Sequence, residues 1–171
     1  MTTENADEKG RQRRGLTVSS FTTICLTPSP FICFSTRQTS RAADLIALRK
    51  SFIIHLLPSN NDSAKLAEAF SRSDLAPHPS RNMQNPFELG QWRWNDNWGL
   101  STLDGVIGAL LCRVDKSINV GDHKLWIGEV RDVLPARDTN TALAYCEQKY
   151  RKEGEPLLPY GPSEGDTQEK Y

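Results

Sequence analysis

The hydrophobic positions of the chain fall into short runs that predict strands more often than helices. Leu16 to Leu26 is rich in Thr, Val, Phe and Ile, which strands favour. Pro28-Ser29-Pro30 interrupts this run as a turn, and Phe31 to Phe34 follows as a second short strand. The run Phe52 to Leu57 is almost wholly apolar and ends at Pro58, so it predicts a buried strand.

Two helices are predicted around that buried strand. Ser40 suits the N-cap of a helix that extends to about Lys50. Asp62 or Ser63 suits the cap of a second helix, whose apolar positions continue to Phe70.

Two long strands should follow, over about 106–116 and 124–134. The intervening Asn119-Val120-Gly121-Asp122 has the composition of a hairpin turn. Residues 141–150 are expected to add one short element. Five or so strands with two short helices predict a mainly β, antiparallel barrel with helices at its ends.

Three other segments interrupt or flank this pattern. Residues 1–14 are polar and lack periodicity, which predicts a disordered tail before a domain over 15–151. Residues 152–171 are expected to form an irregular C-terminal tail. Residues 71–100 contain Pro77, Pro79 and Pro86 and three tryptophans, so they predict a long loop insertion. Its aromatic side chains would either cover a bound ring or anchor the loop to the barrel.

The composition excludes several classes of function. The 171 residues suit one domain, and the 21 basic and 21 acidic side chains give no net charge. We therefore expect binding to neither nucleic acid nor an anionic membrane, and a short solvated tail explains the cluster of Arg11, Arg13 and Arg14. No apolar run approaches the roughly 20 residues of a membrane span, and residues 1–14 do not resemble a signal peptide. An intracellular, cytoplasmic location is the expectation.

No residue pattern predicts a metal site or a catalytic triad. The four cysteines (Cys25, Cys33, Cys112 and Cys146) form no close pairs and are expected to be reduced core thiols. The sequence also has no phosphate-binding Walker loop and no Gly-x-Gly-x-x-Gly. His55 in a strand and His78 in the loop attract no functional assignment.

A set of ordered segments resembles the flavin reductase-like family of FMN-binding split β-barrels. The match covers about residues 15–151, and its segments are Gly15 to Phe21, Leu26 to Phe34, Thr39-Ser40-Arg41, Val120 to His123, Trp126 to Val130, Leu143-Ala144-Tyr145 and Tyr150-Arg151. The resemblance implies an antiparallel barrel of Greek-key type. Together the spacing and order of these segments are fairly specific.

The resemblance also implies a flavin site. Hydroxyls and main-chain groups of the first segment would face the flavin ring, and a helix N-terminus would favour its phosphate. The implied cofactor-binding residues are Gly15, Leu16, Thr17, Ser19, Ser20, Ser35, Thr36, Arg37, Ser40, Arg41 and Phe70, with Ala69 nearby. Apart from the resemblance, these serines and threonines would be read as surface residues, and Ser40 as a plain N-cap.

The electron donor implied by the resemblance is NADH or NADPH. His123 follows the Gly-Asp turn and is the candidate for placing the nicotinamide, with Tyr150 and Arg151 as further candidates. No residue is assigned as a catalytic acid or base, because the cofactors carry the chemistry. The residues alone leave His123 equally open to a structural or merely exposed role.

The chain departs from the family pattern at two places. The family has a helix and a strand before the position of Gly15, and residues 1–14 are too polar to supply that strand, so an exposed sheet edge is expected. The family also often has Thr or Ser where Ala42 stands, so one phosphate hydrogen bond should be absent.

These observations lead to one expected function and two alternatives. The expectation is an NAD(P)H:flavin oxidoreductase that uses FMN, or FAD, and forms a homodimer. Its reduced flavin would serve a partner oxygenase or another acceptor. The alternatives are a non-catalytic flavin-binding or interaction protein derived by N-terminal truncation, and a fragment that does not fold alone.

Overall fold

The computed structural model describes residues 1–7, 10–72, 85–134 and 141–152. Most of these residues lie in strands, and two helices cover the sheet. The elements in chain order are β1 (Thr2–Asp7), β2 (Gly10–Gly15), β3 (Thr22–Cys25), β4 (Phe31–Arg37), α1 (Arg41–Arg49), β5 (Ser51–Leu56), α2 (Asn61–Arg72), a short 3-10 helix (Pro86–Glu88), β6 (Trp92–Asn95), β7 (Leu100–Leu103), β8 (Gly108–Val120), β9 (His123–Leu134), β10 (Leu143–Cys146) and β11 (Lys149–Lys152).

Seven of the strands form one sheet in the order β2-β1-β5-β8-β9-β4-β3. All its neighbouring strands run antiparallel, as the sequence predicts. Neighbours such as β1 and β5, or β4 and β9, are far apart in sequence, so long connections cross between them. β2 and β3 lie at the two ends, and hydrogen bonding among the described strands therefore leaves the sheet open.

The main core lies between α1 and the sheet. Phe34, Phe52 and Trp126 are fully buried there, and the rings of Phe34 and Phe52 meet edge to face at 5.1 Å. Ile46 of α1 packs into the same cluster. Aromatic side chains bury large apolar areas, so these residues fix the position of α1 on the sheet.

The predicted disordered tail over residues 1–14 is wrong for the residues that the structure describes. β1 and β2 form a hairpin, and Thr2 of β1 pairs with Ile53 of β5. The polar composition is compatible with burial because the Glu4 carboxylate, which is almost fully buried, forms ion pairs with Arg11 and Arg13. The buried charge of Glu4 therefore has partners, which a reading of the isolated segment cannot show.

The predicted strand Leu16 to Leu26 is also too long. The strand occupies Thr22–Cys25, and residues 16–21 lie outside the sheet, with a bend at Ser19 and Ser20. β3 pairs with β4 and ends the sheet order. The expected sheet edge thus lies at β3, where no second strand pairs among the described residues.

The predicted loop over 71–100 contains more regular structure than expected. Residues 71 and 72 end α2, and Trp92 and Trp94 lie on β6, which pairs with β7. The prolines concealed this strand because they break the pattern on its N-terminal side. Residues 73–84, including His78, lie outside the described residues, as does 153–171 of the predicted C-terminal tail.

The remaining elements follow the sequence closely. Ser40 caps α1 by accepting a hydrogen bond from the Ala43 N–H, as expected. The cap of α2 is Asn60, whose side chain accepts from the Ser63 N–H, and not Asp62 or Ser63. Residues 141–150 form most of the small β10–β11 hairpin.

The cysteines are all free thiols, but Cys112 is the one that lies in the core. Cys25 and Cys33 are half-buried and Cys146 is exposed, so the expectation of four core thiols is wrong. Across the described ranges, neither helix has the length and apolar composition needed to cross a membrane. The intracellular location stays a prediction.

Candidate functional site

An extended segment with unused backbone groups connects β2 to β3. Leu16 exchanges two backbone hydrogen bonds with Met1. Beyond it, the N–H and C=O groups of residues 17–21 make no hydrogen bond to other described residues. Thr17, Ser19 and Ser20 are exposed, so these groups are accessible to solvent or to a ligand. Backbone groups left without partners are available for recognition.

This segment is joined to β4 through two serines. The Ser35 N–H donates to Ser20 Oγ at 2.9 Å, and the Ser35 and Ser20 hydroxyl oxygens lie 3.0 Å apart. Ser35 and Arg37 lie on the same face of β4, since residues two apart in a strand share a face. We call the surface formed by Ser19, Ser20, Ser35, Arg37, Arg41 and His123 the polar strip.

The N-terminus of α1 lies at one end of the polar strip. The Ser40 N–H donates to the Arg37 carbonyl at 3.1 Å, which fixes the start of α1 beside the end of β4. Arg41 is exposed in the first turn. An exposed guanidinium and the positive end of the helix dipole create a surface that attracts an anion.

Two predicted ligand hydroxyls are used inside the protein instead. Thr36 is buried, and its Oγ1 accepts a hydrogen bond from Trp126 Nε1 at 2.9 Å. Ser40 Oγ caps α1 and is also buried. Ala42 is fully buried in the main core, and therefore its side chain lies away from the polar strip. The side chains of Thr36, Ser40 and Ala42 therefore lie beneath the polar strip and do not form part of its surface.

His123 lies at the same end of the strip as the α1 N-terminus, opposite Arg37 across the β4–β9 ladder. Its Nδ1 lies 2.7 Å from Asp122 Oδ1. This hydrogen bond and the charges of His123 and Arg37 lower the pKa of Asp122. The hairpin turn is held by Gln38, whose side-chain amide donates to the carbonyls of Gly121 and His123.

Three of the predicted residues lie on the inner side of the segment. Gly15 is buried against Phe70, and a Cβ at Gly15 would lie 2.5 Å from Phe70 Cε1. Phe70 is itself buried and Ala69 is half-buried. Gly15 and Phe70 thus fix how closely α2 approaches the segment, while Leu16 is half-buried behind it.

The other nicotinamide candidates lie in a different place from His123. Tyr150 and Thr17 line the same cavity, and burial is the main cause that raises the pKa of Tyr150. Thr17 also donates to the Ala67 carbonyl. Arg151 is exposed and pairs with Glu147 on the β10–β11 hairpin. The structure therefore brings Tyr150 to Thr17 but does not bring Tyr150 and Arg151 to the polar strip.

A cavity of about 210 Å³ lies beneath Thr17 and Tyr150. Its walls include Met1, Thr2, His55, Phe70, Trp92 and Tyr150, and burial lowers the pKa of the Met1 amino group to about 5. The His55 Nε2 accepts a hydrogen bond from the Leu103 N–H at 3.2 Å. Burial lowers the pKa of His55 to about 3, so this histidine is neutral near pH 7.

The tryptophan-rich segment is anchored to the protein, which favours one of the two expectations for it. Trp92 contacts the rings of His55, Phe70 and Phe87. Trp94 lies 4.2 Å beneath the Arg11 guanidinium. These contacts tie the segment to β5, α2 and β2, although Trp92 also lines the cavity.

Sequence reasoning missed two contributors to this region. Gln38 lay in an unremarkable turn, and its contacts with Gly121 and His123 depend on a strand pairing that is distant in sequence. Thr2 was assigned to a tail, yet it lines the cavity. No local sequence signal could have identified either residue.

Curated proteins of known activity resemble this chain over most of its length. The NADH:FMN oxidoreductase of Rhodococcus qingshengii is 30% identical over 139 residues, which are 80% of this chain and 66% of that protein. The chain thus spans slightly less than two thirds of the length of this relative.

Solved structures give the same picture of the fold. The styrene monooxygenase flavin reductase of Pseudomonas putida S12 superposes with a TM-score of 0.69 at 26% identity, covering 90% of this chain and 89% of that one. The NADH:FAD oxidoreductase SgcE6 of Streptomyces globisporus has a TM-score of 0.72 at 19% identity, covering 91% of this chain and 85% of the other, and shows the fold alone. The open seven-stranded sheet described above is therefore a split β-barrel.

The family comparison agrees with the similarity to the curated relatives and to the solved structures. The family model described as flavin reductase like domain matches residues 1–154, which include the N-terminal hairpin and the β10–β11 hairpin. The chain belongs to the flavin reductase-like domain family.

Proposed function

We propose that this protein is an NAD(P)H:flavin oxidoreductase that binds FMN, with FAD as the second candidate, at the polar strip. The observation that carries the proposal is the unpaired backbone of residues 17–21, which lies beside the Ser20–Ser35 contact. A flavin ring presents donors and acceptors along one edge, and an open backbone segment offers the matching groups. The names of the relatives support the same assignment.

The residues present fit a flavin mononucleotide. Arg37, Arg41 and the first turn of α1 supply positive charge for its phosphate. Ser19, Ser20 and Ser35 supply hydroxyls next to the open backbone without adding a negative charge. The carboxylate that belongs to this surface, Asp122, is engaged by His123.

The redox chemistry is that of the cofactors, in which a hydride passes from the reduced nicotinamide to the flavin. The task of this chain is to bind and orient them. His123 is placed by Asp122 and Gln38 at the strip and is the residue that we assign to the NADH or NADPH donor. Tyr150 and Arg151 are secondary donor contacts in this proposal, since they lie beyond Thr17.

The partners are also part of the proposal. One relative is named as the flavin reductase of a styrene monooxygenase, which supports an oxygenase as the acceptor of reduced flavin here. A homodimer is supported by β3, which ends the sheet, and by the exposed Ile118 and Val120 at the tip of the β8–β9 hairpin. Light scattering on the purified chain tests this, and a monomeric mass would contradict it.

The first experiment is a calorimetric titration with FMN followed by NADH and NADPH oxidation. We expect saturable FMN binding and oxidation of at least one nicotinamide well above the rate with free flavin. Binding without turnover would instead support the non-catalytic flavin-binding alternative. A folded protein that binds no flavin would contradict both.

Arg41→Gln tests the phosphate end of the site. Loss of a charge-assisted hydrogen bond is expected to weaken FMN binding about tenfold or more. The matched control is Arg113→Gln, because Arg113 is an exposed arginine on β8 opposite Ser51 of β5, away from the strip. Equal effects of the two substitutions would show that Arg41 acts through net charge alone.

Ser20→Ala tests the segment itself. The substitution removes the acceptor for the Ser35 N–H, so the segment loses its tie to β4. We expect FMN binding to weaken about three- to tenfold, with the melting temperature changed little because the contact is exposed. Ser71→Ala is the control, since the Ser71 hydroxyl donates within α2 to the Glu68 carbonyl. Unchanged FMN affinity in Ser20→Ala would place the flavin elsewhere.

A further inference from the structure

One residue holds the turn between β8 and β9. The side-chain amide of Gln38 donates to the Gly121 carbonyl at 2.9 Å and to the His123 carbonyl at 3.3 Å. The Gln38 backbone N–H donates to the carbonyl between them, that of Asp122, at 2.9 Å. A side-chain amide carries two donor hydrogens, so it can serve two carbonyls at once. A single residue from another part of the chain thus engages three successive carbonyls of the turn.

The turn has little packing of its own. Gly121 and Asp122 are exposed, and Val120 is 60% exposed. A Cβ at Gly121 would meet no atom of the described residues within 4 Å. Segments with few buried contacts open locally more easily than the core does. The position of the turn therefore depends on the hydrogen bonds from Gln38.

His123 follows the position of this turn. Its ring is oriented by Asp122, whose Oδ1 lies 2.7 Å from His123 Nδ1. Because Asp122 belongs to the turn itself, this contact orients the ring within the turn and does not fix the turn against the polar strip. That second constraint comes from Gln38, together with the pairing of Arg37 with His123 across β4 and β9.

Gln38 also lies beside the N-terminus of α1. It directly follows Arg37, whose carbonyl accepts a hydrogen bond from the Ser40 N–H at 3.1 Å. The Ser40 hydroxyl in turn caps α1 by accepting from the Ala43 N–H. Gln38 is therefore part of the short connection at which the phosphate of FMN is proposed to bind. A hydrogen-bond network of this kind can carry coupling between neighbouring sites.

We propose that Gln38 is a positioning residue that couples the proposed phosphate site at α1 to the turn that carries His123. This inference rests on the proposed function and states how the flavin and donor sites communicate. A phosphate that orders residues 37–41 also orders the turn through Gln38, and His123 is then held ready for the nicotinamide. The donor should therefore bind more tightly to the FMN complex than to the free protein, and this coupling is reciprocal.

Gln38→Met tests the role of the side-chain amide. Methionine has nearly the length and shape of glutamine but no donor, and the variant keeps the backbone N–H, so it should fold. At saturating FMN we expect the KM for the nicotinamide donor to rise about three- to tenfold with kcat unchanged, because the hydrogen bonds that place His123 are lost. FMN affinity without donor should change little.

Gln12→Met is the matched control. Gln12 is exposed on β2, where it lies opposite Asn5 of β1 and away from the polar strip, so its KM should equal that of the parent. If Gln38→Met lowered FMN affinity or the melting temperature without raising the KM, its role would be structural and the proposal would be overturned.

Amide hydrogen exchange tests the coupling without turnover. In the ligand-free protein, Gln38→Met should speed exchange in the peptide that spans residues 118–125. FMN should slow exchange of this peptide in the parent protein and much less in the variant. Equal protection by FMN in both proteins would show that the flavin orders the turn without Gln38, which contradicts the proposal.

A double-mutant cycle with His123→Ala tests the route of the effect. Since Gln38 acts through His123, Gln38→Met should raise the KM no further when His123 is already replaced. Additive effects of the two substitutions would overturn this assignment.

The parent protein separates this inference from the proposed function. A parent that binds no flavin or oxidises no nicotinamide would contradict the proposed function and, with it, the coupling. An active parent in which Gln38→Met leaves both the KM and the hydrogen exchange unchanged would contradict the coupling alone.

Discussion

Two polar regions of this protein use similar residues in opposite ways. In the ion cluster formed by Glu4, Arg11, Arg13 and Ser101, the Glu4 carboxylate is buried and paired, although the Arg11 side chain is 44% exposed. Glu4 accepts hydrogen bonds from Arg11 and from the Ser101 N–H, and Arg11 donates to the Ser101 hydroxyl. In the polar strip, by contrast, Arg37, Ser19 and Ser20 are exposed, and the backbone N–H and C=O groups of residues 17–21 make no hydrogen bond to described residues.

The difference shows which feature indicates a ligand site. The sequence predicts that Arg11, Arg13 and Arg14 lie in a short solvated tail, yet Arg11 and Arg13 are paired with Glu4 and stacked on Trp94 and Phe87. Charge alone therefore does not identify the site. A ligand site is identified better by groups that keep unused hydrogen-bonding capacity at an accessible surface.

Glu4→Gln should lower the free energy of unfolding more than any other substitution considered and should leave the polar strip intact. It removes a buried charge and leaves two guanidiniums without their counter-charge, so the free energy of unfolding should fall by about 3 to 5 kcal/mol. Urea denaturation measures this change. FMN affinity per folded molecule should not change, which is the opposite of the result expected for Arg41→Gln.

The control for Glu4 is Asp62→Asn. Asp62 pairs with Lys65 on the exposed face of α2, and such pairs contribute little. A similar loss of stability in both variants, or weaker FMN binding in Glu4→Gln, would show that the two regions are not independent.

The pH dependence of stability tests whether His55, which lines the cavity, stays neutral in the folded protein. The pKa of His55 is lowered by burial from 6.5 to about 3. Between these values the unfolded chain binds a proton that the folded chain does not, so stability falls as the pH is lowered from about 6.5 toward 3.

His55→Gln removes this titration while keeping an acceptor for the Leu103 N–H. We expect the loss of stability between pH 7 and pH 4 to be smaller in the variant by about 3 kcal/mol. Urea denaturation at a series of pH values measures the difference. Parallel profiles of the parent and variant would mean that His55 titrates normally.

Of the substitutions Glu4→Gln, His55→Gln and Gly15→Ala, the last should have the smallest effect on the free energy of unfolding. Gly15 lies where the segment that leads into the polar strip meets the cavity. The added Cβ would lie 2.5 Å from Phe70 Cε1 and 3.1 Å from the Met1 carbonyl oxygen, so Phe70 must move. Overpacking of this kind costs about 1 to 3 kcal/mol. The melting temperature of the variant should therefore fall, as thermal unfolding would measure.

Gly108→Ala is the matched control. Its Cβ would meet the Leu134 carbonyl oxygen at 3.6 Å, an ordinary contact. A loss of stability equal to that of Gly15→Ala would show that the effect does not come from the contact with Phe70, since Gly→Ala by itself lowers the entropy of the unfolded chain and favours folding.

The sequence by itself determined the elements whose pattern is local. The apolar run of β5, the Ser40 cap of α1 and the β8–β9 turn depend on neighbouring residues, and each lies where the sequence predicts it. The family resemblance also located the segment at Gly15–Phe21 and the Ser40-Arg41 pair. It could not separate ligand-facing side chains from buried ones.

The tertiary structure decided everything that depends on partners distant in sequence. Glu4 is buried in strand β1 because Arg11, Arg13 and Ser101 surround it, and residue 101 lies 97 positions away. Thr36 and Ser40 became internal hydrogen-bonding groups, and Thr2 became a cavity wall, through the same kind of contact. The local sequence pattern determines a cap or a turn because the hydrogen bonds involved are local. Whether a polar side chain is buried and paired or exposed depends instead on the partners that the fold brings to it.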